Sequence, residues 1–426
     1  MALPNIITNI TIPLLGIIDF SLLGHLPSPV YLAAVSLGAM LFNILYWGVN
    51  FIRMSTVGFT AQAYGAGDDK AVSQNIFRPL MIALSIGVLF ILLQSPIAKI
   101  GFYFLNGDAL TEHLAAQYFY IRIWAAPASL SLYALYGWLI GIGNARYPMF
   151  IAITINVVNV LADYVLIYKF GLKSEGAAWG TLVAQYSGLS LGILLILKPY
   201  RRYWKIISLK GLLRWDDIRH LFKVNIDIFV RTLVMMLVFT AFTYFSTEKG
   251  ISVLDANTLL FQFYIFFTYF MDGFAFAAES LTGQYVGARN KDSFHRFLKI
   301  LFFYTGMVAV AFVVVYLVGG QCIVRLMTTQ EAVLNVAYRF LPWVWLLPVL
   351  SFSAFVWDGV YVGMIASKQM RNVVLVSGLL VFFPLYLFLE PLLGNHALWM
   401  ALLGFLTMRS VLQTILINRL TRTHFA

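Results

Sequence analysis

The chain has 426 residues, of which 61% are hydrophobic and only 11% charged, with a formal net charge of +11. Soluble domains carry about 25% charged residues, so this composition excludes a soluble globular enzyme or binding module and reads as an integral membrane protein. A single cysteine, Cys322, excludes an intramolecular disulfide and a Cys-based metal site, and the six histidines show no HxxxH-type pairing, so neither a metal centre nor a cofactor is expected.

Twelve spans are predicted, at about 2–24, 30–52, 76–98, 113–140, 149–170, 176–197, 220–247, 255–280, 295–318, 331–365, 371–390 and 396–418. The first apolar run ends in Leu14–Leu26, LLGIIDFSLLGHL, whose carboxylate Asp19 is the first charged side chain after Met1. A lone carboxylate in a spanning helix costs ~2.5–3.5 kcal/mol or more unless it is protonated, paired or facing water. Two readings follow: an Asp reaching the interface from the helix end, or a chemical role shared with other groups. The run lacks a basic n-region and an A-x-A-like site and is too long for an h-region, so no cleavable signal is expected. Pro4 and Pro13 in span 1, Pro127 in span 4 and Pro342 and Pro348 in span 10 are candidate bends, which spanning helices tolerate where they line a cavity.

Span 4 carries Tyr118 and Arg122, the latter a possible buried partner for an acid and the former a possible donor to Asp163. In span 5, Asn156, Asn159 and Asp163 follow i, i+3, i+7 spacing and share one helical face. Spans 1 and 5 run in the same direction, and Asp19 and Asp163 both lie in their later halves, so the two carboxylates can meet at one depth. Two carboxylates in a poorly solvated site cannot easily both ionise, and together with amide oxygens they can also replace water around Na⁺. That is an ion-binding or proton-relay site. The structural alternative is that the Asn pair joins helices and Asp163 caps a helix end.

The basic, aromatic stretch Lys198–Lys223 divides the chain and is expected to lie along the inner membrane surface, giving an N-terminal six-helix bundle at 1–197, a cytoplasmic linker at 198–219 and a C-terminal bundle at 220–426. In the second half, Asp227 and Arg231 stand at i, i+4 and are expected to pair. Asp272 falls mid-span, Glu279 lies near a span end, and Asp358 lies beside Gly359. The halves echo each other. Thr60-Ala-Gln-Ala-Tyr-Gly-Ala66 and Thr282-Gly-Gln-Tyr-Val-Gly-Ala288, expected after spans 2 and 8, stand 222 positions apart, and Gly137–Gly141 matches Gly359–Gly363 at the same offset. Six spans per half make these parallel repeats, an all-α fold of two six-helix bundles around a central cleft.

Most of the 29 Lys and Arg fall on one side of the spans, against Lys99, Lys169, Lys173, Lys249 and Arg325 on the other. By the positive-inside rule both termini are cytoplasmic, in a multi-pass protein of a bacterial inner membrane. The basic charge is thus topology signal rather than a nucleic-acid surface, and lipid is the expected surrounding of a monomeric chain. Aromatic residues, 16% of the total, suit apolar and cationic ligands but are also ordinary at lipid interfaces.

These segments resemble the multidrug and toxic compound extrusion (MATE) family, DinF-like branch. The resemblance rests on ALPNIITNITIPLLGIIDFSLLGHL, RMSTVGFTAQAYGAGD, IRIWAAPASLSLYALYGWLIGIGNARYP, NVVNVLADYVLIYKFGLKSEGAAWGT, AAESLTGQYVGARN and WDGVYVGM, which span nearly the whole chain. It implies a transporter, not an enzyme, that exports amphipathic, often cationic small organic molecules in exchange for H⁺ or Na⁺ by alternating access. It also implies an ion-coupling site of Asp19, Asn159, Asp163 and Thr181, with Tyr118 fitting less closely and Pro4 matching a helix-bending proline. Asp227 and Asp358 are only loose counterparts of acids that other branches use. The alternative is a lipid-linked oligosaccharide flippase of the wider superfamily, whose cavity should be strongly basic, whereas the intramembrane charges here are more acidic. A membrane enzyme would need a nucleophile–base or metal constellation, and the sequence offers none.

Overall fold

A chain this apolar can satisfy its backbone in lipid only by helices or a closed barrel, and its runs of about 20 residues select helices. The computed structural model describes residues 1–105, 107–206 and 214–425. Among them, twelve helices are long and apolar enough to cross a membrane: α1 (Ala2–Gly24), α2 (Val30–Gly65), α3 (Asp69–Leu92), α4 (Ala109–Gly141), α5 (Arg146–Lys169), α6 (Lys173–Leu197), α7 (Trp215–Thr247), α8 (Ile251–Gly287), α9 (Lys291–Met327), α10 (Glu331–Gly363), α11 (Ser367–Leu393) and α12 (Asn395–Phe425). No strand occurs among the described residues. The chain divides into two compact units, Met1–Leu221 and Phe222–Ala426. Leu3, Leu14, Ile17 and Phe20 of α1 are each more than half exposed, as side chains that meet lipid must be.

The helix ends differ from the hydropathy reading for a physical reason. α2 and α8 continue to Gly65 and Gly287, so Thr60–Gly65 and Thr282–Gly287 are helical rather than loop. Hydropathy falls at Gln62 and Gln284, but no breaker arrives until the chain turns left-handed at Gly67 (φ 71°) and Arg289 (φ 53°). α3 starts at Asp69 because Asp68 caps it, its side chain accepting from the Ala71 amide at 2.9 Å. A separate helix, Gln94–Leu105, follows α3, where the expected span ran on unbroken to about residue 98.

The internal repeat extends into backbone geometry. In the first unit the amides of Ala66, Gly67 and Asp68 bond back to Gln62, Tyr64 and Ala63. In the second, Ala288, Arg289 and Asn290 bond back to Gln284, Val286 and Tyr285, each 222 positions later. The turn after α4 is likewise copied after α10, with Gly143 (φ 88°) replaced by Ile365 (φ 56°). These are helix ends closed by a left-handed residue, a conformation that suits glycine and costs other residues roughly 1–2 kcal/mol. Arg289 is exposed, so Arg289→Gly should stabilise the protein by about 1 kcal/mol, measured as a higher midpoint in detergent thermal unfolding.

The repeated glycines explain the rest of the matched motif. A Cβ on Gly137 would stand 2.6 Å from the Arg53 carbonyl oxygen, and one on Gly141 would stand 2.7 Å from the Thr60 Cβ. On α10, Gly359 would meet the Ala275 carbonyl oxygen at 2.4 Å and Gly363 the Thr282 Cβ at 2.8 Å. In each unit the small residues let two helices approach closely, the arrangement that drives helix association in lipid. Gly359→Ala should therefore cost about 1–3 kcal/mol of overpacking and lower the thermal midpoint.

Of the candidate bends, Pro127 coincides with a break: α4 tightens into a 3₁₀ turn at Ile123–Ala125 and resumes at Ala126. Pro342 and Pro348 lie inside an unbroken α10, and Pro13 inside an unbroken α1. Pro4 occupies the first turn of α1, where its missing N–H interrupts no hydrogen bond. The start of the linker departs from the expectation of a surface stretch. Residues Arg201–Lys205 form a short helix whose Tyr203 is fully buried, edge-on to Trp138, and the Ser73 hydroxyl donates to the Tyr203 carbonyl at 2.7 Å. The aromatic side chains pack inward on α3 and α4, leaving the basic ones outside. Residues 207–213 of the linker lie outside the described residues.

Candidate functional site

Of the predicted ion-coupling residues, Asp19, Asn159, Asp163 and Tyr118 come together in the first unit. α5 brings Asn159 and Asp163 to one buried face, 2% and 1% exposed, and the Asn159 amide donates to Asp163 Oδ1 at 3.2 Å. α1 delivers Asp19, whose carboxyl lies beside that of Asp163, close enough for each to act on the other. Asp19 Oδ1 is buried without a protein partner. Two further contacts hold α1 against α5. The Asn156 amide donates to the Thr11 carbonyl at 3.3 Å, and the Tyr168 hydroxyl to the Leu22 carbonyl at 2.6 Å. Asn156 thus joins α1 to α5 through its amide nitrogen. Immediately after Tyr164, α5 widens into a π turn at Val165–Lys169, an irregularity that often accompanies functional sites.

α4 supplies the positive charge. Arg122, at the last α-helical turn before the 3₁₀ break, donates to the Tyr118 hydroxyl at 2.5 Å and lies 4.6 Å over the Phe42 ring. Its charge acts on both Asp19 and Asp163. Tyr118 therefore accepts from Arg122, with Asp19 and Asp163 among its electrostatic neighbours. Thr181 on α6 donates to the Ala177 carbonyl of its own helix at 2.9 Å, so toward any other group it can only accept. Chemically, the cluster is two carboxyls, an amide and a guanidinium that can hold or release one positive charge.

In the second unit, Asp227 and Arg231 do not pair with each other. Asp227 accepts from Arg371 at 2.5 Å and from the Ser367 hydroxyl at 3.0 Å, both in the first turns of α11. One turn further along α7, Arg231 faces α10 and donates to Asp358. The same Asp358 accepts from Arg409 at 2.6 Å and from the Gln413 amide at 2.7 Å, both on α12. The i, i+4 pairing loses because each partner finds a better-oriented group on a neighbouring helix. Asp272 on α8 is part-buried and lies within electrostatic reach of Tyr264, as do Asp358 and both arginines. Among the described residues no group of three His, Cys, Asp or Glu side chains is arranged to hold a metal ion.

The MatE family model matches residues 4–165 and 228–387, three-quarters of the chain in two blocks. The chain belongs to the MatE family. This MatE protein is 36% identical over 418 residues to DNA damage-inducible protein F of Escherichia coli K12, covering 96% of this chain and 89% of that one. It is 24% identical to the chloroplastic Protein DETOXIFICATION 44 of Arabidopsis thaliana, covering 96% and 80%. A solved structure described as MATE in the bent conformation superposes with a TM-score of 0.89 at 18% identity, covering 100% of this chain and 96% of that one. The protein is thus a multi-pass membrane transporter, not an enzyme, with the twelve-helix fold of that family.

Several residues of this MatE chain carry weight that sequence reasoning passed over. Gly180 on α6 faces Asp163 so closely that a Cβ would stand 1.7 Å from Oδ1, and Gly38 makes room for the Tyr118 ring, 2.5 Å from a would-be Cβ. Asn5 and Asn9 are buried on α1. Their signal was two Asn one turn apart in an otherwise apolar run. Arg409 and Gln413 stood out as polar residues inside the last predicted span, but nothing local pointed to their partner or to that of Arg371, because each partner lies dozens of residues away in sequence.

Proposed function

We propose that this protein is a proton-coupled antiporter that exports amphipathic and cationic organic compounds by alternating access, with Asp19 and Asp163 as the coupling pair. The observation that carries this reading is the pair of neighbouring carboxyls between α1 and α5. Ionised carboxylates only accept hydrogen bonds, so two neighbouring carboxyls are best held together by one shared proton. Loss of that proton leaves two negative charges face to face and removes the middle of the three links that tie α1 to α5. Proton occupancy is thereby coupled to the position of α1. A ligand that prefers one position of α1 then shifts proton affinity by the same factor that the proton shifts ligand affinity.

Sodium could in principle use the same oxygens of Asp19, Asp163 and Asn159. The charge of Arg122 acts against either cation at these carboxylates; the proton is preferred because two neighbouring carboxyls can share one directly, with no coordination shell to complete. Together with the excess of Lys and Arg on one side of the spans, the reading places both termini in the cytoplasm of a bacterial inner membrane.

The test is transport of a fluorescent organic cation in liposomes under a pH gradient and a Na⁺ gradient imposed separately. A pH gradient alone should drive accumulation, with no added effect of Na⁺. Transport driven by Na⁺ alone would keep the site and change the ion, and transport by neither gradient would overturn the antiport reading.

A further inference from the structure

Two buried guanidinium groups of the second unit, those of Arg231 and Arg409, meet on a single carboxylate, Asp358. Arg231 of α7 and Arg409 of α12 both donate to Asp358 Oδ2, and Gln413 donates to Oδ1. Both oxygens of the one acid are thus engaged while two cations contact it. Arg409 is 1% exposed, and its Nε and Nη1 have no hydrogen-bond partner; the same holds for Arg231 Nε, while the unpartnered Gln413 Oε1 is an acceptor and takes no part in holding an anion. The Phe405 ring lies 5.4 Å from the Arg409 guanidinium and Tyr264 is buried beside the cluster. Asp272 reaches that tyrosine electrostatically from α8.

Buried N–H groups of a cation are costly to leave unmatched, and the chemistry that satisfies them is an acceptor with negative charge. Bound cations are disfavoured here, because Asp358 is already held by three donors. We propose that Arg409, with Arg231 and Gln413, forms an anion-binding site inside the second unit. It takes one monovalent anionic group, supplied either by a free halide or by the carboxylate or sulfonate of an amphipathic organic ligand. Asp358 is its internal competitor: it occupies the guanidinium groups when the site is empty and shares them when the anion enters. The apolar and aromatic neighbours Phe405 and Tyr264 suit the body of an aryl ligand. This site stands independently of the proton-coupled reading of the first unit.

The test is titration calorimetry on the full-length purified protein with naphthalene-2-sulfonate, repeated in chloride and in gluconate buffer. Saturable one-site binding is expected, weakened about tenfold or more in Arg409→Gln and partly kept in Arg409→Lys. Asp358→Asn removes the competing carboxylate and should tighten binding severalfold, a change of opposite sign that misfolding cannot imitate. Chloride that displaces the sulfonate identifies a halide as the second source, and chloride without effect restricts the site to organic anions. Arg339→Gln serves as a control, since Arg339 lines a separate basic cavity of about 310 Å³ with Lys249 and His396. Absence of saturable binding, binding unchanged in both Arg409→Gln and Asp358→Asn, or loss in Arg339→Gln alone would overturn the proposal.

Discussion

Asp163→Asn should abolish transport driven by a pH gradient while leaving the protein folded and able to bind its organic substrate. The asparagine keeps the size of the side chain and can still pair with Asn159, which donates to Asp163 Oδ1 at 3.2 Å. It can also donate to Asp19, so the link between α1 and α5 survives without a titrating proton. The pair is then fixed in an imitation of its protonated state. Coupling free energies of about 1–3 kcal/mol correspond to roughly 5–150-fold between two ligands, and all of it should vanish. In the wild type, substrate affinity should change with pH; in Asp163→Asn it should be flat. Asp19→Asn should behave alike, since either substitution removes the shared proton. The measurements are liposome transport and substrate binding across pH, with the thermal midpoint as control. A residue with a merely structural role would lower the midpoint and weaken binding at every pH. Wild-type transport in both variants would remove the pair from the mechanism.

The fold was legible because hydropathy over twenty residues is a strong signal and the positions of Lys and Arg are asymmetric. The helix ends were less so. Gln62, Tyr64 and Gln284 lower the hydropathy of α2 and α8 without breaking either helix, and only the positive φ of Gly67 and Arg289 does that. Asp19, Asn159 and Asp163 were legible because charge and amide are rare in spanning helices and their spacing is helical. The Arg231–Asp358–Arg409 cluster was not, because its members come from α7, α10 and α12, and the nearer candidate pairing, Asp227 with Arg231, was the wrong one. Local spacing can say that two side chains are able to meet. It cannot say which neighbour on another helix offers a better-oriented partner. The linker shows the same limit: Tyr203 and Trp204 read as interfacial aromatics, yet Tyr203 is spent on Trp138 and Trp204 on Phe77.

Gly180→Ala should lose nearly as much transport as Asp163→Asn, although it adds a single methyl group and changes no charge. The new Cβ would fall 1.7 Å from Asp163 Oδ1 and 3.1 Å from the Asp163 backbone nitrogen. The carboxyl, the freely rotating member, gives way first. It swings off Oδ1's contact with Asn159 and out of register with Asp19. The backbone contact is tight enough for the helices to ease apart by only a few tenths of an ångström. Stability should therefore fall by about 1–3 kcal/mol, as for other overpacked sites, while pH-driven transport collapses. Gly176 supplies the control. It lies one turn earlier on the same helix, and its Cβ would meet Ile167 Cγ1 at 3.0 Å, the Ile167 nitrogen at 3.1 Å and the Leu166 carbonyl carbon at 3.2 Å, so its nearest neighbours include no carboxylate. Gly176→Ala should show the stability loss without the transport loss. Full transport in Gly180→Ala, or equal transport losses in the two glycine variants, would show that the notch in α6 serves packing alone.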